Sequence, residues 1–125
     1  MAIQSEPLPV TTDRTRVDRI VANLIGNALD HGGEDVTVRV GRDEEGPFVE
    51  VADSGPGIAP EHLPHVFERF FRADPARSGP GSGLGLAIAR ENARLLGGDV
   101  EVRSEPTAGS RFTLRLPEDR AVAEP

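Results

Sequence analysis

Lysine is absent from this chain; all fourteen basic residues are arginine. That removes a Walker-type phosphate lysine, a Schiff-base lysine and the strand lysine of protein kinases from consideration. Cysteine is absent too, so disulfides, thiol nucleophiles and cysteine metal sites are excluded. The five aromatic residues are all phenylalanine. No apolar run approaches the ~20 residues that cross a bilayer. The segment Met1 to Pro9 has neither the basic start nor the apolar run of a signal peptide. A net charge of -7 argues against a nucleic-acid surface. What remains is 125 residues, 37% of them hydrophobic, enough for one domain with one core. There is no internal repeat.

The most regular stretch is Val17 to His31. Val17, Ile20, Val21, Leu24, Ile25, Ala28 and Leu29 fall at helical spacing and form one apolar stripe. Asn23 and Asn27 stack four apart along its flank; they can serve a polar ligand or simply be solvated. Before the helix, residues 1–9 read as an N-terminal tail or cloning remnant. Val10 to Thr12 reads as a short edge strand, and Asp13 or Thr15 as the helix cap. Gly32 and Gly33 supply the stop. Val36, Val38 and Val40 alternate with polar residues, and Phe48 to Asp53 forms the next strand, so the two read as a hairpin that needs no parallel crossover.

Asp53-Ser54-Gly55-Pro56-Gly57-Ile58 then makes a tight turn to which something can come close. Val66 to Arg72 is polar and aromatic, with Phe67, Phe70 and Phe71. Ala73 to Pro80 reads as mobile. Gly81-Ser82-Gly83-Leu84-Gly85-Leu86 opens a helix to about Leu96, which Gly97 and Gly98 end. Val100 and Val102, then Phe112, Leu114 and Leu116, alternate around the turn at Pro106 to Gly109 and predict a second hairpin. Residues 10–117 form the domain, and 118–125 a tail. Paired strands with segregated helices predict an α+β two-layer sandwich, its sheet mixed but largely antiparallel, with helices on one face.

Two stretches carry possible chemistry. Glycines at the start of a helix free N–H groups to face an anion where the helix dipole is positive. The spacing from Gly81 to Gly85 is not that of the dinucleotide fingerprint, and no strand precedes it. Asp53 at a strand end is either a turn residue bonding its own backbone or an acceptor on a pocket floor, suited to an exocyclic amine.

Taken together, the motifs resemble those of sensor histidine kinases. Asn-Leu-Ile-Gly-Asn-Ala from Asn23 resembles the N box, Asp53-Ser-Gly-Pro-Gly-Ile the G1 box, Phe67-Glu-Arg-Phe-Phe-Arg the F box, and Gly81-Ser-Gly-Leu-Gly-Leu the G2 box. Gly109-Ser-Arg-Phe112 is similar to the turn and strand that close such domains. The resemblance covers about residues 10–117 in order. It implies the ATP-binding (Bergerat-type) fold shared with Hsp90-like chaperones, type II topoisomerases and MutL, with ATP and Mg²⁺ as ligands. On that basis Asp53 would bind the adenine amine, Asn27 would offer an oxygen to Mg²⁺, and Asn23 would lie near the phosphates. Gly83 and Gly85 would face the triphosphate. His31, Gly55, Gly57, Ile58, Phe67, Gly81, Ser82, Leu84 and Leu86 would complete the nucleotide site. Residues from Ala59 to about Pro80 would be an ATP lid, with Phe67 and Phe70 packing it against the core or a partner helix. Arg72 would be the cation beside the transferred γ-phosphate, and Asn23 and Arg72 the catalytic pair.

The resemblance also implies partners. A phosphoacceptor histidine on a separate dimerisation domain would receive the phosphate, and a response regulator would take it onward. The fragment itself would be a monomer and a cytoplasmic domain; the full-length kinase would be a membrane-anchored homodimer. None of His31, His62 and His65 is followed by the acidic residue typical of an acceptor. Asp30 stands where the family often has a basic residue. A self-sufficient ATPase of the superfamily would carry a glutamate base at Asn23, so the sequence weighs against that reading. A nucleotide-binding regulatory module without transfer activity is the other alternative.

Overall fold

A computed structural model of the chain describes residues 2–5, 13–31, 35–69, 85–105 and 108–117. Strand β1 runs Ala2–Ser5, helix α1 Arg14–His31, β2 Val36–Asp43, β3 Gly46–Asp53, helix α2 Gly85–Leu95, β4 Asp99–Glu105 and β5 Gly109–Arg115. One 3-10 turn, Leu63–His65, lies between β3 and α2. The five strands form one sheet in the order β1-β2-β3-β5-β4. Every pairing is antiparallel except β1 with β2. The α+β class and the two hairpins therefore stand as read.

One expectation is corrected. The segment 1–9, read as a tail or remnant, contains strand β1, which pairs in parallel with β2 from Ala2↔Thr37 to Ser5↔Val40. A parallel crossover through α1 is thus present. Four residues with no strong alternation give little sequence signal; the strand exists because the outer edge of β2 offers a row of unpaired backbone groups. The strand proposed at Val10 to Thr12 lies outside the described residues.

The helices follow from local chemistry. Asp13 caps α1: its Oδ1 accepts the Arg16 N–H at 3.1 Å, satisfying one donor left open at the helix start. Ile20, Leu24 and Ala28 of its stripe are fully buried against the sheet. Helix α2 buries Ala89 and Ala93 and ends in a Schellman turn, Gly98 N–H to Ala93 O at 2.9 Å and Gly97 N–H to Arg94 O at 3.0 Å. Gly97 has φ +88°, which only glycine adopts without strain. The helices pack on each other. Arg16 donates to Asn92 Oδ1 at 2.7 Å, and Asn23 lies beside Gly85, so they run antiparallel.

Between helices and sheet sit Val36, Val38, Val49, Val51, Val100, Phe112 and Leu114. Burying side chains of this size contributes roughly 1.5–3 kcal/mol each. On the opposite face the sheet is charged. Arg39 and Arg115 place their guanidinium carbons 5.2 and 5.5 Å from the centre of the Phe48 ring.

Candidate nucleotide site

The site begins where three strands leave the core together. Val49 and Val51 of β3, Phe112 and Leu114 of β5, and Val100 and Val102 of β4 line the helix-facing side at every second position. Each row ends in a polar residue: Asp53, Ser110 and Ser104. The register places Asp53 opposite Ser110, and Ser110 opposite Ser104. A polar shelf thus crosses the end of an apolar face.

Asp53 is half-buried. Burial pushes its carboxyl above the usual range, and hydrogen bonds from the Gly55 and Ser110 backbone offset part of that. The Gly55 N–H donates to its Oδ1 at 2.9 Å. Asp53 forms no ion pair among the described residues. Both readings of Asp53 therefore have a basis: the residue makes its own turn and retains acceptor capacity, since a carboxylate has about four lone-pair sites. Behind it the backbone is tightly packed. A Cβ added at Gly109, where φ is +89°, would sit 2.0 Å from the Asp53 carbonyl oxygen, so only glycine fits. Gly57 has φ +79°, and Ile58 packs partly on the core.

Asn23 and Asn27 are half-buried on α1. Asn23 Oδ1 is 4.0 Å from where a Cβ of Gly85 would be, so the first amide stands beside the start of α2. His31 is the last residue of α1, and Asp30 before it is exposed. Leu86 packs partly against the core, which suits a supporting role. Phe67 meets Phe112 edge to face, centroids 6.1 Å apart at 88°, and carries the Arg90 guanidinium 4.6 Å from its ring centre. Phe67 is thereby packed between β5 and Arg90 of α2. The same segment is tied to α2 by Arg69 and Glu91 at 3.1 Å. His65 pairs with Glu68 through Nδ1. Arg72, Phe70, Gly81, Ser82, Gly83 and Leu84 lie outside the described residues.

The sequence reading missed Ser104 and Arg90. Ser104 interrupts the row Val100, Val102 on a core-facing side, and that polar residue at an apolar position was its available signal. Arg90 joins Phe67 to Asp99, which it meets at 3.0 Å. Burial raises the Asp99 carboxyl, but Arg90, the Val100 N–H and Arg94 outweigh it and hold it below the ordinary value.

Magnesium needs oxygen donors and usually takes only one or two from protein, the rest from phosphate and water. Among the described residues no group of three or more His, Cys, Asp or Glu could hold a metal. The half-buried amide of Asn27 carries an oxygen donor of the kind that magnesium takes. No described helix is long and apolar enough to cross a membrane.

The chain is similar to known proteins in sequence and in fold. The model of the histidine kinase-, DNA gyrase B- and HSP90-like ATPases matches residues 12–120. Signal transduction histidine-protein kinase AfsQ2 of Streptomyces coelicolor is 52% identical over 108 residues, covering 86% of this chain and 20% of that protein. Sensor histidine kinase MtrB of Mycolicibacterium paratuberculosis is 46% identical over 119 residues, 92% of this chain and 21% of the other. The chain thus spans about a fifth of the length of these curated relatives. Among solved structures, mycobacterial sensor histidine kinase MprB superposes with a TM-score of 0.82 at 34% identity, covering 94% of this chain and 82% of that one. Full-length ShkA in complex with AMPPNP gives 0.78 at 32%, covering 93% and 25%.

Proposed function

This chain belongs to the histidine kinase-, DNA gyrase B- and HSP90-like ATPase family, and from that footing we propose that it binds Mg-ATP and donates the γ-phosphate to a histidine on a separate dimerisation and phosphoacceptor domain. It would be the catalytic part of a sensor histidine kinase, with a response regulator downstream and a membrane-anchored homodimer as the full-length form. The observation that carries the reading is Asp53, a half-buried carboxylate with no cation beside it among the described residues, at the head of a glycine turn.

In this reading Asp53 accepts the adenine amine, and Gly55 and Gly57 let the ring lie against the backbone. Asn23 and the start of α2 face the phosphates, where backbone N–H groups and the helix dipole favour negative charge. Asn27 holds the oxygen ligand; Mg²⁺ when bound supplies charge neutralisation to the triphosphate. Phe67 and Arg69 fix the root of the lid, and Arg72 supplies the cation at the transferred group. The bond from the β–γ bridging oxygen to the γ-phosphorus breaks, a bond from the acceptor imidazole nitrogen to that phosphorus forms, and ADP leaves with the electron pair.

Two assays test this. Calorimetry with a non-hydrolysable ATP analogue, with and without Mg²⁺, should show binding that Mg²⁺ strengthens. Asn27→Ala should remove that Mg²⁺ dependence. Transfer to a supplied acceptor domain should fall by about a hundredfold or more in Arg72→Ala, while analogue affinity stays near wild type, because that cation acts mainly in the transition state. Wild-type transfer in the Arg72 variant would reject its role, and no analogue binding by the wild type would reject the function.

A further inference from the structure

The turn after Asp53 is fixed at both ends. At its start the Asp53 carboxylate accepts the Gly55 N–H at 2.9 Å, and the Ser54 N–H donates to Asp35 O at 3.1 Å. At its far end the Ile58 N–H donates to Ser104 Oγ at 2.6 Å, across 46 residues of sequence. Ser104 Oγ in turn lies 3.1 Å from the Gly109 carbonyl oxygen and 3.0 Å from Ser110 Oγ. A serine hydroxyl has one proton and two lone pairs. With its proton on the Gly109 carbonyl, it accepts from Ile58 and from the Ser110 hydroxyl, and its capacity is filled. All of its partners belong to the rim of the shelf: Gly109 packs on the Asp53 backbone, Ser110 is the register partner of Asp53, and Ile58 closes the turn.

We propose that Ser104 is a positioning residue for the nucleotide: its hydroxyl joins the end of the Asp53–Ile58 turn to the Gly109–Ser110 edge and so holds Gly55 and Gly57 at the distance from Asp53 that an adenine ring requires. The proposal rests on the nucleotide reading above. Ser104 touches no substrate in this account; it acts through Ile58. Among the described residues no other group accepts a hydrogen bond from the Ile58 N–H. Loss of the hydroxyl therefore leaves that N–H, the Ser110 hydroxyl and the Gly109 carbonyl each short of a partner.

The experiment compares Ser104→Thr with Ser104→Val, a pair of equal shape that differs in the hydroxyl, with Ser104→Ala as the truncation. Thermal unfolding establishes that each variant is folded. Amide exchange at Ile58, without nucleotide, reads the hydrogen bond. Titrations with adenosine and with a non-hydrolysable ATP analogue read the pocket. In the valine and alanine variants Ile58 should exchange at least tenfold faster. Both ligands should lose affinity by the same factor, about three- to tenfold, the range that one net neutral hydrogen bond carries. Threonine should restore exchange and affinity together. Fast Ile58 exchange with unchanged adenosine affinity would overturn the positioning role, and unchanged Ile58 exchange would overturn the bond on which it depends. A folded threonine variant as impaired as valine would also overturn it. A wild-type protein that binds neither ligand would overturn the nucleotide reading first, and this inference with it.

Discussion

The two ends of strand β3 are built on opposite principles. At the Gly46 end one cation gathers the acidic side chains around it. Arg115 donates to both oxygens of Asp43 at 2.8 and 2.9 Å, reaches Glu45 at 3.1 Å and Glu101 at 3.7 Å, and rests on Phe48. Its Nε is buried without a hydrogen bond. Burial lowers the Arg115 pKa, but its three acidic neighbours raise it further, while Arg115 lowers Asp43. At the Asp53 end a carboxylate is half-buried with only N–H groups for company, and its pKa rises. One end is electrostatically closed. The other keeps an anionic acceptor in reserve, as a binding site must and a structural corner need not.

Three measurements would break or sharpen that contrast. The largest effect belongs to Asp53→Ala. Loss of a charge-assisted hydrogen bond worth roughly 1.5–3 kcal/mol should weaken binding of an ATP analogue about tenfold or more. Unchanged affinity in calorimetry would make Asp53 a turn residue and erase the distinction between the ends. Next is Arg115→Ala, which should do the reverse. It should lower the thermal midpoint by about 4 °C, near 1 kcal/mol in a domain of this size, and leave analogue affinity within about twofold. A large loss of affinity there would mean that the closed end also shapes the pocket.

The smallest effect is the most diagnostic. Because the folded pKa of Asp53 lies above its ordinary value, the stability contributed by this group is fully present below that ordinary value and is lost as pH rises through the raised one. Asp53→Asn removes the titration. Its melting temperature should exceed wild type at pH 7, and the gap should close as pH falls toward about 4, the ordinary aspartate range. Asp43 has the opposite sign: its lowered pKa gives stability that is lost as pH falls. A pH series of melting curves on the Asp53→Asn variant and wild type separates the two. A gap independent of pH would show that Asp53 carries no desolvated charge.

Much of this was legible in the residues because periodicity is a local signal. The stripe from Val17 to Leu29, the alternating valines of β2 and the double glycine after α2 each fix an element within a few positions. The N, G1, F and G2 stretches identify the family. What escaped was non-local. Strand β1 has four residues and draws its reason from the edge of β2. The Ser104 hydroxyl matters through Ile58, 46 residues away. Sequence spacing marks such residues as out of pattern but does not name the partner.

The central pairing of β3 with β5 has a consequence for how the protein comes together. Each hairpin is local, but β3 and β5 join residues about sixty positions apart, and their ladder ends at Asp53 and Ser110. Closing so long a loop precedes any reward from its contacts. The first hairpin alone brings Asp53 with no shelf beside it; the second brings Ser104 and Ser110 without Asp53. Neither half of the chain carries the whole shelf. A ligand held by Asp53 and the turn that Ser104 secures therefore binds only molecules in which the two halves have docked, and by mass action it draws the half-assembled ensemble toward the completed one.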